Sequence, residues 1–180
     1  MTGKLKVGSI APNFSFLTPW SEEKNVFYNL AEGKTKVIFF LRYYGCLICQ
    51  LDIKTLRDQI ALFKEKNIEV FLVIQSYRET ISNNTQVEDW PFHIVCDPDS
   101  HIYKKYLVKA GNVIQFMHPA GLLKLIKALS KGHKHGKFEG KETQLPAVFG
   151  INSKNEIIYA HYGKHISDIP NNSTIINSIA

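Results

Sequence analysis

The sequence has no apolar run near the ~20 residues a helix needs to cross a bilayer. Its first residues, Met1 to Gly8, hold no apolar core of signal-peptide length. Cysteine is scarce. Three residues are too few for a disulfide scaffold, and the odd count leaves one unpaired if every bridge is internal. No second CxxC is present to complete a closed four-ligand zinc site. No tract of Pro, Gly or Ser marks a linker, and no internal repeat is evident, so residues 1–180 are expected to form a single domain. With 44% apolar residues, that domain can build a core without staples. Cysteine usage favours a reducing compartment, and the expectation is a soluble cytoplasmic protein with no membrane partner.

Charge is present but uneven. Of the net +6, the stretch 124–141 contributes +5, from Lys124, Lys127, Lys131, Lys134, Lys137 and Lys141 against Glu139. It has neither interleaved aromatics nor a recognition-helix pattern, so nucleic acid is not an expected partner. Its glycine- and lysine-rich part, near 130–143, is expected to be a mobile, solvated loop.

Periodicity outlines the fold. Ala11–Leu17 alternates after a proline, like a half-buried or edge strand. Residues 35–43 read as a central strand covered on both faces. Ile53, Leu56, Ile60 and Phe63 then mark an amphipathic helix from about Cys46 to Glu65, and Ile68–Ile74 a second buried strand. Strand, helix, strand makes a βαβ unit with parallel strands. Phe92–Cys96 is a further strand, followed by a short helix, His101–Val108, that Asp99 or Ser100 could cap. Leu122, Leu125, Ile126 and Leu129 mark a helix packed on the body. Ala147–Ile151 and Ile157–Tyr162 flank a polar turn as a hairpin. Asn172–Ile179 is a last helix with Ile175, Ile176 and Ile179 inward. The sum is an α/β fold, a central mixed sheet flanked by helices.

The chemistry concentrates at Cys46-Leu47-Ile48-Cys49, between the central strand and its helix. Unpaired amides and the helix dipole at that junction favour a thiolate, and Arg42 adds positive potential. Cys46, placed before the first turn and expected to be the more exposed, is assigned the attack, with Cys49 resolving the intermediate by thiol–disulfide exchange. The alternatives are two buried small hydrophobes, or a zinc site completed by His133, His135 or His161. Cys96, at the end of its own strand, is a distant third thiol or a core residue.

Three motifs in order resemble the peroxiredoxin-like branch of the alkyl hydroperoxide reductase/thiol-specific antioxidant family, within the thioredoxin superfamily. They are Gly8-Ser9-Ile10-Ala11-Pro12-Asn13-Phe14, the Phe40–Gln50 segment, and Gln144–Phe149 followed by Tyr159–Lys164. The resemblance implies a thioredoxin-like fold and a thiol-dependent oxidoreductase needing no bound cofactor or metal. It implies Cys46 and Cys49 as catalytic thiols, Arg42, Tyr43 and Gly45 in support, and Pro146 as a cis-proline facing the thiols. A peroxide or a protein disulfide would be the substrate, and a thioredoxin-like or glutathione-based thiol system the reductant. The chain departs from the family's Pro-x-x-x-Thr/Ser-x-x-Cys pattern. With Cys49 as the peroxide-reacting thiol, Arg42 and Cys46 fall at the Pro and Thr/Ser positions. With Cys46 they are Phe39 and Tyr43. The strand arginine is also missing, and Arg42 or Arg78 could substitute. These losses favour disulfide exchange, with weak peroxide reduction as the other activity, in which Cys49 would be the peroxide-reacting thiol and Cys46 its resolver. A redox-regulated binding module with little turnover is the competing function.

Overall fold

The computed structural model describes residues 3–180. The strand expected over Ala11–Leu17 is shorter than its alternation suggests. β1 (Ser15–Leu17) pairs antiparallel with β2 (Lys24–Val26), and Ile10 forms only an isolated bridge to Glu156. The short α1 (Phe27–Leu30) leads to β3 (Thr35–Phe40). The long helix expected next is two, α2 (Leu47–Asp58) and α3 (Ile60–Glu65), because Gln59 leaves helical geometry at φ −112° and ψ 11°. Asn67, in the left-handed region at φ 53°, turns the chain into β4 (Ile68–Ile74). The order continues with α4 (Arg78–Ser82), β5 (His93–Cys96), α5 (His101–Lys105), α6 (Val113–Phe116), α7 (Pro119–Ser130), β6 (Ala147–Ile151), β7 (Ile157–Tyr162) and α8 (Asn172–Ile179).

The main sheet runs β5-β4-β3-β6-β7. β3, β4 and β5 are parallel, and β6 and β7 are added antiparallel, giving the mixed sheet expected from the sequence. Alternate residues of β3 serve opposite faces. Val37 and Phe39 pack with Ile53, Leu56, Phe63, Ile175 and Ile179. Ile38 and Phe40 pack with Phe27, Phe71, Tyr103, Tyr106 and Phe149. Each wholly buried aromatic of this kind is worth ~3–5 kcal/mol against truncation to alanine.

Two local expectations are corrected. Ser100 holds the N-cap position of α5, but neither its side chain nor that of Asp99 supplies a capping hydrogen bond. The Asp97 carboxylate accepts the amides of His101, Ile102 and Tyr103 at 2.7–3.2 Å, while Ser100 sits in the left-handed region at φ 58°. Helix α7 does not pack on the body through its whole apolar stripe. Gly121 and Ala128, the small residues that permit close approach, are buried with half-buried Leu125 beside them, and Lys124 pairs with Asp52 of α2. Leu122, Leu123, Ile126 and Leu129 remain exposed.

Candidate active site

The strand β3 delivers the cysteines to the sheet's carboxyl edge. Past Phe40 the backbone stays tied to β4, with Leu41 donating to Val73 at 3.0 Å and Arg42 accepting from Gln75 at 2.6 Å. A turn closed by Cys46 N–H to the Tyr43 carbonyl then sets Cys46 as the N-cap of α2. Its Sγ accepts from the Cys49 backbone N–H at 3.3 Å and from Arg42 Nη2 at 2.8 Å. Burial disfavours the Cys46 thiolate, but the Cys49 hydrogen bonds and the Arg42 charge outweigh it and bring the group to about 7. Burial pushes Cys49 well above the ordinary thiol value, and the neighbouring Cys46 charge pushes the same way. One negative charge shared by the pair therefore resides on Cys46, with the proton on Cys49.

Arg42 is itself held. Its Nη1 donates to the backbone carbonyl of Glu142 and lies 3.4 Å from that residue's carboxylate. The Tyr43 hydroxyl donates to the same carboxylate and lies 3.1 Å from His135 Nε2. Burial, then the Glu142 hydrogen bond, raises the Tyr43 phenol and keeps it protonated. Buried Arg42 Nε has no hydrogen-bond partner among the described residues. The other candidate arginine is elsewhere, since Arg78 is bound to the Thr18 and Ser21 carbonyls and to Glu22. Glu142 was not visible from sequence. It lies a hundred residues from Arg42 inside a stretch that reads as loop.

The exposure expected for Cys46 is not found. It is 1% exposed and Cys49 3%, so the attacking assignment rests on electrostatics and not on access. The thiols are buried within the core cluster that holds Leu41, Tyr43 and Ile48. The segment expected to be a mobile loop is strapped against the residues flanking the pair: Gly136 N–H donates to the Gly45 carbonyl at 2.9 Å, and Gln50 Nε2 donates to the Lys134 carbonyl at 2.9 Å. Thr80 donates to buried Glu139, and Lys141 N–H to the Gln75 side chain. Gly45 is required by this approach. A Cβ on it would collide with the Lys137 carbonyl, and one on Gly136 would lie 2.9 Å from Gly45 Cα.

The cis-proline expectation is overturned. No peptide bond among the described residues is cis. Pro146 immediately precedes β6, its carbonyl accepting from Gly163 at 2.8 Å, and it lines a cavity of about 310 Å³ that includes neither thiol of the pair nor Arg42. Cys96, half-buried at the end of β5, is pushed up to about 12 by burial. His133 faces Gln50, His135 faces Tyr43 and His161 faces Asp168. Among the described residues, no three His, Cys, Asp or Glu side chains are grouped to hold a metal.

Arg42, Leu47 and Ile48, which flank Cys46 in sequence, open onto a cleft of about 410 Å³. Phe116, Met117, Leu122, Leu125 and Phe138 make most of its wall, with His135 and Glu142 as polar members.

The family model described as the AhpC/TSA family matches residues 7–160. The chain belongs to the AhpC/TSA family. The region matched to peroxiredoxin-like 2C of Takifugu rubripes is 29% identical over 86 residues, 46% of this chain and 38% of that protein's length. The fold matches the crystal structure of peroxidoxin BcpB from Mycobacterium tuberculosis with a TM-score of 0.70 at 11% identity, covering 97% of this chain and 96% of that one. It matches the reduced 2-Cys peroxiredoxin of Plasmodium vivax with a TM-score of 0.66 at 16% identity, covering 96% and 79%. This AhpC/TSA member thus has a thioredoxin-like α/β fold, and its family and its buried dithiol together support thiol-based oxidoreductase chemistry.

Proposed function

We propose that the protein is a dithiol oxidoreductase in which the Cys46 thiolate attacks and Cys49 resolves. The observation that carries this reading is the Cys46 sulfur at the N-cap of α2, bound by Arg42 and the Cys49 amide and brought to about 7. With a disulfide substrate, Cys46 S⁻ forms a mixed disulfide and releases one substrate thiolate. Cys49 then gives up its proton, attacks Cys46 and releases the second thiolate, leaving a Cys46–Cys49 disulfide. An external thiol reductant, thioredoxin-like or glutathione-based, returns the pair to the dithiol.

Peroxide reduction is a second activity of the same pair, favoured by the Arg42 guanidinium, whose Nη2 donates to the Cys46 sulfur at 2.8 Å. Cys46 S⁻ takes the distal oxygen to become the sulfenic acid and releases an alkoxide that is protonated. Cys49 condenses with the sulfenic acid, forms the same disulfide and expels water. A guanidinium donor would stabilise charge on the departing oxygen. The test is turnover of a protein disulfide and of a hydroperoxide with a thiol reductant, for wild type, Cys46→Ser and Cys49→Ser. Both variants are expected to lose turnover, while only Cys49→Ser keeps the first, stoichiometric oxidation. Full turnover by Cys46→Ser would overturn the reading.

A further inference from the structure

We propose that α6, α7 and Phe138 form a surface that docks the protein on an anionic phospholipid bilayer. Among the described residues no helix is long and apolar enough to span a membrane. Lying on one requires instead an apolar face bordered by lysines. Leu123, Ile126 and Leu129 of α7 are 54–70% exposed, turned away from the Gly121 and Ala128 positions that touch the body. Ile114 on α6 is 80% exposed, Met117 72% and Phe138 69%. The end of α6, the apolar face of α7 and the strap meet where Met117, Leu122 and Phe138 line one cleft. Scattered exposed apolar residues are ordinary, but a contiguous group of this kind marks an interaction surface.

Charge selects the occupant. Lys127 and Lys131 border the stripe, and Lys134 and Lys141 follow in the strap. Among the described residues none of the four has an ion pair. The nearby carboxylates are occupied within the chain: Asp52 by Lys124, Glu139 by Thr80 and Lys137, Glu142 by Tyr43 and Arg42. An apolar face with unneutralised lysines fits lipid tails beneath anionic headgroups. Docking there would bring the mouth of the Arg42 cleft to the bilayer surface.

The experiment is co-sedimentation of the full chain with vesicles of phosphatidylcholine alone or mixed with phosphatidylserine, at low and high salt. Binding is expected to the mixed vesicles only and to weaken with salt. Lys127→Gln with Lys131→Gln should weaken it by roughly thirtyfold, since each near-surface lysine contributes roughly fivefold. Ile126→Asp and Ile114→Asp, both at exposed positions, should abolish it while thermal midpoint and thiol alkylation stay at wild-type values. Three results would overturn the proposal: no binding to mixed vesicles, equal binding to neutral vesicles, or a dimer that Ile126→Asp dissociates, which would assign the face to a second copy.

Discussion

Replacing Arg42 by Met keeps the side-chain length but removes the guanidinium that donates to Cys46 at 2.8 Å. Arg42 and the Cys49 hydrogen bonds together lower the thiol from 9.0 to about 7 against an opposing burial penalty. Without Arg42 the Cys49 hydrogen bonds still oppose burial, so the value should rise toward the ordinary 9.0, which sets the upper limit of the effect. At pH 7 the thiolate fraction would fall from about one half to about one in a hundred, roughly fifty-fold. The more basic thiolate is a better nucleophile, and a Brønsted slope of ~0.45 over that range restores roughly eightfold. The net expectation is alkylation of Cys46 roughly sixfold slower at pH 7 and roughly sixfold faster at pH 9.5, with the two profiles crossing close to pH 8. Opening of the buried site enters both pH values alike, so the crossing reports ionisation and not access. Iodoacetamide labelling read by peptide mass spectrometry measures it. Parallel profiles, or a uniform slowing at all pH values, would refute the assignment of Arg42 as the residue that stabilises the thiolate.

Other consequences are open to direct measurement. Gly45→Ala should push the Lys137 carbonyl, and the strap with it, away from residue 45, costing ~1–3 kcal/mol of stability in urea while speeding Cys46 alkylation several-fold. Unchanged alkylation would mean that the strap does not control access. Asp97→Ala removes a carboxylate that accepts three amides of α5, and denaturant melts should show a loss of about 1–2 kcal/mol. Because Cys46 is held at about 7, below the roughly 8.5 of an unfolded thiol, it adds stability that is present in full above the unfolded value and is lost as pH falls through 7. The stability of wild type over Cys46→Ala should therefore grow between pH 6 and 8.5, by up to about 2 kcal/mol, and a flat difference would contradict the depressed value.

The sheet was legible because its signals are local. Val37–Leu41 and Ile68–Ile74 are short apolar runs with no alternative but burial, and the Asn152–Asn155 turn between two β-rich segments predicts a hairpin that the structure has. The inward Ile175, Ile176 and Ile179 of α8 were equally readable from spacing. The thiol pair and Arg42 were adjacent in sequence, four residues apart, and helix-start chemistry alone placed a thiolate there. What failed was long-range. The strap's hold on Gly45 and Gln50, and Glu142 on Arg42 and Tyr43, join residues 84 to 100 positions apart. Polarity in residues 132–143 reads as solvation, although it is spent on the site. Helix α7 misled in the opposite sense, since an apolar spacing shows that a face exists but not that the same chain covers it. Pro146 misled because the resemblance assigned a cis isomer, and no peptide bond among the described residues is cis.

The division of labour within the pair is most directly tested by trapping. The Cys49→Ser protein is treated with one equivalent of an aromatic disulfide at pH 7, and the adduct is located by peptide mass spectrometry. An adduct on Cys46 is expected, with the wild type passing through the same adduct, releasing a second aromatic thiolate and ending as the Cys46–Cys49 disulfide. An adduct forming on Cys49 of the Cys46→Ser protein at a comparable rate would contradict it.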